Sequence, residues 1–141
     1  MVFFTGPTLL LLMTLSLLSA EETDYLEVVY PQTTFIAFTG SSAKLSCEAN
    51  YDPQKCGMVH VVWHEIAKNT EKSMELTDPK RYFTTVNETT NDTKRRRQVV
   101  TEIISVTTKD KGRYQCKATC LTGEQAMGHF ITIDVRRRGF A

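Results

Sequence analysis

The chain has neither a marked excess of one charge nor a residue pattern typical of catalysis. Among its 141 residues, 17 Lys and Arg oppose 16 Asp and Glu, which leaves a formal net charge of +1. Proteins dedicated to nucleic-acid binding carry a marked basic excess, so this balance argues against that class. No Gly-rich phosphate-binding loop is present, and the histidines have no catalytic partner at a characteristic spacing. We therefore expect a chain that is not an enzyme, uses no cofactor and binds no nucleic acid.

Long hydrophobic runs are confined to the first twenty residues. The apolar stretches 9–13 and 15–18 are followed by the small residues Ser19 and Ala20. This pattern is typical of a cleaved signal peptide over residues 1–20, although no Lys or Arg precedes the apolar core. An uncleaved membrane anchor is the alternative, but the run is short for spanning a bilayer.

No second apolar run of about 20 residues follows, so we expect no transmembrane segment in this chain. The expected product is secreted or extracellular, and a fragment or splice form of a type I membrane receptor is the alternative. Its four cysteines are an even number, which in an exported chain indicates two disulfides. The cysteine count by itself leaves the pairing open.

Zinc binding by a cluster of Cys56, Cys120, His60, His64 and His129 is the alternative to the second disulfide. His60 and His64 are four residues apart on a predicted strand, which separates them by about 13 Å. They cannot both bind one ion at bond lengths of about 2 Å. We therefore expect no metal site.

Several short segments alternate between apolar and polar residues, which is typical of strands with one buried face. In residues 43–49 the alternation places Leu45 and Cys47 on the same face. The polar stretch 87–97 lacks this alternation, so we predict a long loop there. The predicted strands cover residues 26–30, 35–38, 43–49, 59–64, 74–76, 81–86, 98–106, 113–119 and 128–135. The sequence therefore predicts an all-β fold.

Residues 110–116 form the most specific motif of the chain, Asp-x-Gly-x-Tyr-x-Cys. Asp110 and Gly112 suit a tight turn, because aspartate can bond the backbone ahead and glycine accepts unusual dihedral angles. Tyr114 and Cys116 then lie on one face of the following strand, because strand side chains alternate.

Together with Cys47 and Trp63 upstream, this motif resembles the frame of variable-type (V-set) immunoglobulin domains, such as those of single-domain lymphocyte co-receptors and cell-surface adhesion receptors. The resemblance covers about residues 25–136. It implies a V-type β-sandwich of two antiparallel sheets over residues 21–136, followed by a short basic tail over 137–141. The family's joining-segment pattern, Phe-Gly-x-Gly, is absent, so this is not a rearranged antigen-receptor domain.

The resemblance assigns structural roles to several residues. It implies a Cys47–Cys116 disulfide between the sheets, with the tryptophan packed against it. It also implies that the hydroxyl of Tyr114 bonds back to the preceding turn. In V-type domains an arginine often pairs with the aspartate of this turn, here Arg81 with Asp110. Two exposed, unpaired charges are the alternative.

The other two cysteines, Cys56 and Cys120, fall in loops that the family places at the same end of the sandwich. Once the first bridge has formed, a disulfide between them closes a ring of only about 13 residue steps, for which chain entropy predicts roughly 3 kcal/mol of stabilisation. Rigidity would matter more, since a pinned loop loses less entropy when a partner binds. We therefore expect this second disulfide.

Two acceptor sequons for N-linked glycans start at Asn87 and Asn91, both in the predicted exposed loop. We expect at least one of them to carry a glycan. The basic run 94–97 lies in the same loop, and a second run, 136–138, follows the last predicted strand. The first run would suit a basic-site protease or a polyanion, and a solvated loop is the alternative; for the second run we expect a disordered tail.

The resemblance implies that a protein partner binds the exposed sheet of the strands labelled G, F, C and C′ in the family, or the end loops. Alternation relative to Trp63 and Cys116 places eight side chains on the outer face of that sheet. They are His60, Val62, His64, Arg113, Gln115, Lys117, Phe130 and Thr132. Val62 and Phe130 are apolar, so we expect them to form the centre of a binding patch. Coverage by neighbouring side chains is the alternative.

The leading functional prediction is a non-enzymatic, immune-type receptor or ligand domain that binds a cell-surface protein. One alternative is a homophilic adhesion or structural module that dimerises through the same face. Another is a glycosaminoglycan-binding secreted factor that uses the two arginine runs.

Overall fold

The computed structural model describes residues 25–30, 34–70 and 72–138, and the predicted signal peptide lies outside these residues. Within them the chain forms ten strands, one short α-helix and one 3-10 helix. The strands are β1 (Leu26–Val29), β2 (Thr34–Phe38), β3 (Ala43–Tyr51), β4 (Val59–Ile66), β5 (Ser73–Glu75), β6 (Tyr82–Asn91), β7 (Lys94–Ile103), β8 (Gly112–Cys120), β9 (Gln125–Met127) and β10 (Ile131–Arg136). The helix α1 covers Pro53–Cys56, and the 3-10 helix covers Thr108–Asp110.

The strands form two sheets. The four-stranded sheet has the order β1–β3–β7–β6, and the six-stranded sheet has the order β2–β10–β8–β4–β5, with β9 also pairing with β8. The pairings are antiparallel except that of β2 with β10, which is parallel. The predicted all-β sandwich is confirmed, with one parallel pair where purely antiparallel sheets were expected.

The core lies between the sheets and is built from the alternating faces of their central strands. In β3 and from Tyr114 onwards in β8, every second side chain is buried. The Cys47–Cys116 disulfide joins these two strands, and hence one sheet to the other. Trp63 is fully buried and pairs with Cys116 across the sheet, with its ring centroid 5.2 Å from that of Tyr30.

The turn before β8 contains the contacts that the family resemblance implies. Oδ2 of Asp110 accepts from the backbone N–H of Thr107 at 2.8 Å, and Oδ1 accepts from Arg81 at 2.7 Å. Because Asp110 is only 1% exposed, losing these partners would leave a buried charge uncompensated. The hydroxyl of Tyr114 donates to the Asp110 carbonyl. Gly112 has a φ of +157°, which residues with side chains rarely adopt.

The segment predicted as a loop over 87–97 is instead part of a long hairpin. β6 and β7 pair over all ten residues of each strand, and a two-residue turn joins them. In this turn Asp92 has a φ of +53°, which aspartate tolerates better than most residues. The loop prediction was wrong because every residue of β6 beyond Tyr82 is exposed, so the strand has no alternating pattern. β7 also ends at Ile103, before the predicted strand end at 106.

One side of the sandwich, between β4 and β6, is open. The variable type adds two strands, C′ and C″, to the sheet at this side. Among the described residues only β5 lies there, and it pairs with residues 64–66 of β4 alone. Residues 59–63 of β4 therefore have no strand of the described chain beside them on this side.

Candidate functional site

The predicted binding residues lie on the outer side of the six-stranded sheet, here called the Phe130 face. It is formed by side chains of β4, β8 and β10 and of the segment before β10. Its members are His60, Val62, His64, Ile66, Arg113, Gln115, Lys117, Phe130 and Thr132. His60, Arg113, Phe130 and Thr132 are exposed, whereas Val62, Gln115 and Lys117 are half-buried.

Phe130 is the exposed aromatic residue of this face, and it is in contact with Arg113. The ring is 45% exposed, and the guanidinium carbon of Arg113 lies 4.9 Å from its centroid. Such a cation–π contact contributes about 0.5–1 kcal/mol at an exposed site. A cavity of about 250 Å³ opens beside the pair, lined also by Ile66, Ser73 and Gln115. An apolar ring, a positioned cation and a small cavity therefore lie next to one another.

The segment 128–130, which separates β9 from β10, determines where Phe130 lies. The N–H of Gly128 donates to the Cys116 carbonyl at 3.1 Å, and Nε2 of Gln115 donates to the Gly128 carbonyl at 2.9 Å. A Cβ on residue 128 would overlap the ring of Tyr30. Desolvation by burial raises the pKa of Tyr30 to about 12, so its hydroxyl stays neutral. A core tyrosine and a glycine thus position the segment that carries the exposed aromatic ring.

His64 is buried, in contrast to the expectation that it is available to a partner. It is 6% exposed, and neither ring nitrogen has a hydrogen-bond partner in the described part of the chain. Glu75 on β5 and Gln115 on β8 flank it in the sheet. Desolvation lowers the pKa of His64, against the opposing effect of the nearby Glu75 carboxylate. Alternation predicts the side of a sheet correctly, but it does not show which neighbours cover a residue.

Val62 and Phe130 do not form one apolar patch. Val62 lines a cleft of about 500 Å³ on the open side of the sandwich, together with Leu76 and Val86. Phe130 lines the smaller cavity near the opposite end of the β4–β8 pair, where Ile66 faces Arg113. The expected patch therefore divides into two separate features.

Two residues near Phe130, Ile66 and Ser73, were not predicted from the sequence as part of the site. Ile66 is buried at 7% exposure and lines the Phe130 cavity. It has the parity of Val62 and His64, so extending the alternation by two residues would have found it. Ser73 lines the same cavity from β5, a strand too short for any pattern to assign its faces.

The loop between β3 and β4, which contains α1, and the turn between β8 and β9 form a second candidate surface, here called the end loops. The structure joins Cys56 to Cys120, whose Cα atoms are 4.9 Å apart. The side chain of Asp52 caps α1 by accepting a backbone N–H at 2.9 Å. The N–H of Leu121 donates to the Met58 carbonyl at 2.8 Å, and these two side chains are 78% and 73% exposed. Two exposed apolar residues thus flank a cross-linked loop pair.

The sequon asparagines, Asn87 and Asn91, lie on β6 and are exposed. Val86 pairs with the buried Val99, so it points to the inner side of the sheet. Asn87 and Asn91 therefore point to the outer side, because strand side chains alternate. Glycans at these positions, which stay a prediction, would project away from the Phe130 face.

The basic run 94–97 is the beginning of β7, and its last arginine is not a free surface charge. Nη2 of Arg97 donates to Oε2 of Glu88 at 3.0 Å, and Nη1 donates to the carbonyl of Val59 on β4. Glu88 also accepts from the Tyr51 hydroxyl. The bond from Tyr51 and then that from Arg97 lower the pKa of Glu88. Arg97 on β7 therefore links the two sheets at the beginning of β4.

Neither a membrane-spanning helix nor a metal cluster is found in the described residues. In the ranges 25–30, 34–70 and 72–138 no helix is long and apolar enough to cross a membrane. No group of three His, Cys, Asp or Glu side chains in this part of the chain is arranged to hold a metal ion.

Solved structures with a similar fold include two complexes of titin domains. The complex of titin M10 with the obscurin-like 1 Ig domain matches at 16% identity, with a TM-score of 0.51, over 82% of this chain and 99% of that chain. The titin domains Z1Z2 in complex with telethonin match at 19% identity, with a TM-score of 0.53, over 82% of this chain and 49% of that chain. At these identities the likeness concerns the fold alone. No curated protein matches the chain significantly.

Residues 37–125, more than half of the chain, match the protein family described as the immunoglobulin domain. This match agrees with the two-sheet sandwich, the disulfide between the sheets and the tyrosine turn before β8. Domains of this kind are generally protein-binding modules and not enzymes. The chain belongs to the immunoglobulin domain family.

Proposed function

We propose that this chain is a V-set protein-binding domain that acts outside the cell as an immune-type receptor or ligand, and that its partner binds the Phe130 face. The observation that carries the proposal is the exposed Phe130 ring beside Arg113 and a small cavity. Protein interfaces are enriched in aromatic residues and arginine, and a few central residues supply most of the binding energy. The pair therefore has the chemistry of an interface anchor.

Two features support the proposed location outside the cell and the V-set assignment. Two disulfides and the signal-like residues 1–20 are typical of an exported protein. The strand β5 occupies the position of C′, which constant-type domains lack, and this favours the variable type.

The test is binding of the secreted chain to a panel of cell lines, measured by flow cytometry with the Phe130→Ala variant in parallel. Removing a central aromatic anchor is expected to cost about 2 kcal/mol or more, which is roughly 30-fold in Kd. The unfolding free energy should change by less than about 1 kcal/mol, as is usual for a surface residue. Phe83→Ala is the matched control, because Phe83 is 58% exposed and points away from the other sheet.

Two results would contradict the proposal. If Phe130→Ala lowers the melting temperature but leaves binding per folded molecule unchanged, Phe130 is a packing residue. If Phe83→Ala weakens binding and Phe130→Ala does not, the partner binds the four-stranded sheet instead.

The glycosaminoglycan alternative has less support. Arg97 pairs with Glu88 at 3.0 Å, and Arg96 lies 3.7 Å from Glu48. These acidic partners reduce the charge that the first basic run can offer to a polyanion. Heparin retention well above physiological salt would favour this alternative, since exposed charge contacts are screened by salt.

A further inference from the structure

Among the described residues, one long strand edge at the open side of the sandwich has no partner strand. β6 is ten residues long, and within the described residues it pairs with β7 alone. Across the opening, the carbonyl of Val59 on β4 accepts from Arg97, and no strand in the described part of the chain pairs with it on that side. An exposed strand edge is a template for another strand, because its N–H and C=O groups are unpaired.

The main-chain groups of β6 point alternately towards β7 and towards the open edge. The N–H of Ile104 donates to the Arg81 carbonyl at 3.0 Å, so Arg81 bonds towards β7. The N–H of Tyr82 points the other way and donates to the Asp78 carbonyl at 2.9 Å. In an antiparallel pair this alternation continues along the strand. The residues whose main-chain groups point to the open edge are then Thr84, Val86, Glu88 and Thr90.

The side chains of these same residues point to the inner side of the sheet. Two of them, Thr84 and Val86, line the cleft of about 500 Å³. Val86 is 58% exposed although it points to the inner side, because β5 is too short to lie opposite it. The lining of the cleft includes the apolar residues Leu76, Tyr82 and Val99. A strand added beside β6 would therefore place every second side chain over an apolar cleft.

β6 lacks most of the features that usually protect a strand edge. Protected edges are short, or carry Lys, Pro, a bulge or an inward-pointing charge. Tyr82–Asn91 contains neither Lys nor Pro and pairs with β7 in continuous register. Its one charged side chain, Glu88, accepts hydrogen bonds from Arg97 and Tyr51. The segment is thus a strand suited to pairing with another strand.

We propose that β6 pairs antiparallel with β6 of a second copy of this chain, which joins two four-stranded sheets into one of eight strands. A two-fold axis satisfies both open edges at once. When the axis passes beside Val86, each residue whose main-chain N–H and C=O groups point to the open edge faces a residue of the same kind on the partner strand. Glu88 then faces Thr84 of the partner subunit, so no like charges meet. β6 itself is not part of the Phe130 face, although two members of that face, His60 and Val62, line the cleft beside it.

The first test is sedimentation equilibrium of the full chain. We expect a concentration-dependent dimer that Val86→Lys weakens about ten-fold or more, since it places two cations side by side in the strand pair. Val86→Lys should still fold, because residue 86 is largely exposed, and its melting curve checks this. Phe130→Ala should leave the dimer intact. A dimer that Phe130→Ala dissociates and Val86→Lys does not would overturn the proposal.

The second test uses cysteine cross-linking. Facing residues in a hydrogen-bonded antiparallel pair have Cα atoms about 5.5 Å apart, within the range of a disulfide. Val86→Cys is therefore expected to form a covalent dimer under mild oxidation. Thr90→Cys, on the same strand but away from the axis, is the matched control and should stay monomeric in non-reducing gels. Equal cross-linking of both variants would exclude this register.

Both tests are made on the chain as secreted and after enzymatic removal of N-linked glycans. A dimer in both samples supports the proposal. A dimer that forms only after glycan removal also supports it and assigns carbohydrate at Asn87 and Asn91 the role of blocking the edge. A monomer in both samples, up to the highest concentration measured, overturns it.

Discussion

At the residue scale, Gly128 connects the core to the Phe130 face. Its Cα lies against the ring of Tyr30, which packs beside Trp63. We expect Gly128→Ala to destabilise the fold by about 1–3 kcal/mol, because the added methyl group has no space against a core ring. Chemical denaturation measures this loss.

A double-mutant cycle gives the control for this substitution. In a Tyr30→Ala background the obstructing ring is gone, so Gly128→Ala should cost clearly less than in the original chain. An equal cost in both backgrounds would show that the ring does not require the glycine.

At the element scale, the second disulfide holds a one-turn helix. α1 has four residues, too few for a stable helix by itself, and Cys56 is its last residue. Replacing Cys56 and Cys120 together by Ser is expected to cost roughly 3 kcal/mol and to speed amide exchange over residues 53–58 and 120–124. Hydrogen-exchange mass spectrometry measures both regions.

Amide exchange in other parts of the chain provides the internal control for this experiment. Exchange over β4, β5 and residues 128–133, which surround the Phe130 cavity, should change much less than exchange in the end loops. Unchanged protection of α1 would mean that the Asp52 cap and the backbone bonds hold the loop without the disulfide. Peptide mapping without reduction should first recover the pairs Cys47–Cys116 and Cys56–Cys120.

At the scale of the whole molecule, burial of a neutral histidine makes global stability depend on pH. Desolvation lowers the pKa of His64, Lys117 and His60 lower it further, and Glu75 opposes them. Below about pH 6.5, the ordinary pKa of histidine, the unfolded chain binds more protons at this site than the folded chain. The unfolding free energy should therefore fall as pH decreases from about 7 through this region.

The variant His64→Leu tests this dependence. It removes the group, so the slope of unfolding free energy against pH should become flatter between about pH 7 and 5.5. His60→Leu, which removes an exposed histidine of the same strand, is the control and should keep most of the original slope. Identical slopes in the original chain and His64→Leu would show that His64 does not carry the effect.

The parts of the fold that depend on local chain geometry could be predicted from the sequence. Alternation in β3 and β8 follows from the two-residue period of a strand. The turn at Asp110 and Gly112 follows from their backbone preferences. The first half of β6 was predicted as a strand over 81–86, but its continuation to Asn91 could not be predicted, because an edge strand exposed on both faces has no alternating pattern.

The sequence by itself determined the sandwich frame and, in the strands with an alternating pattern, the side of the sheet on which each residue lies. The tertiary structure alone decided what each of those residues touches. His64 and Phe130 both lie on the outer side of one sheet, yet one is buried and the other is exposed. The difference arises from the side chains of neighbouring strands, β5 and β8 for His64, and from the break at Gly128 for Phe130. Burial depends on contacts between residues distant in the chain, and parity within one strand carries no information about them.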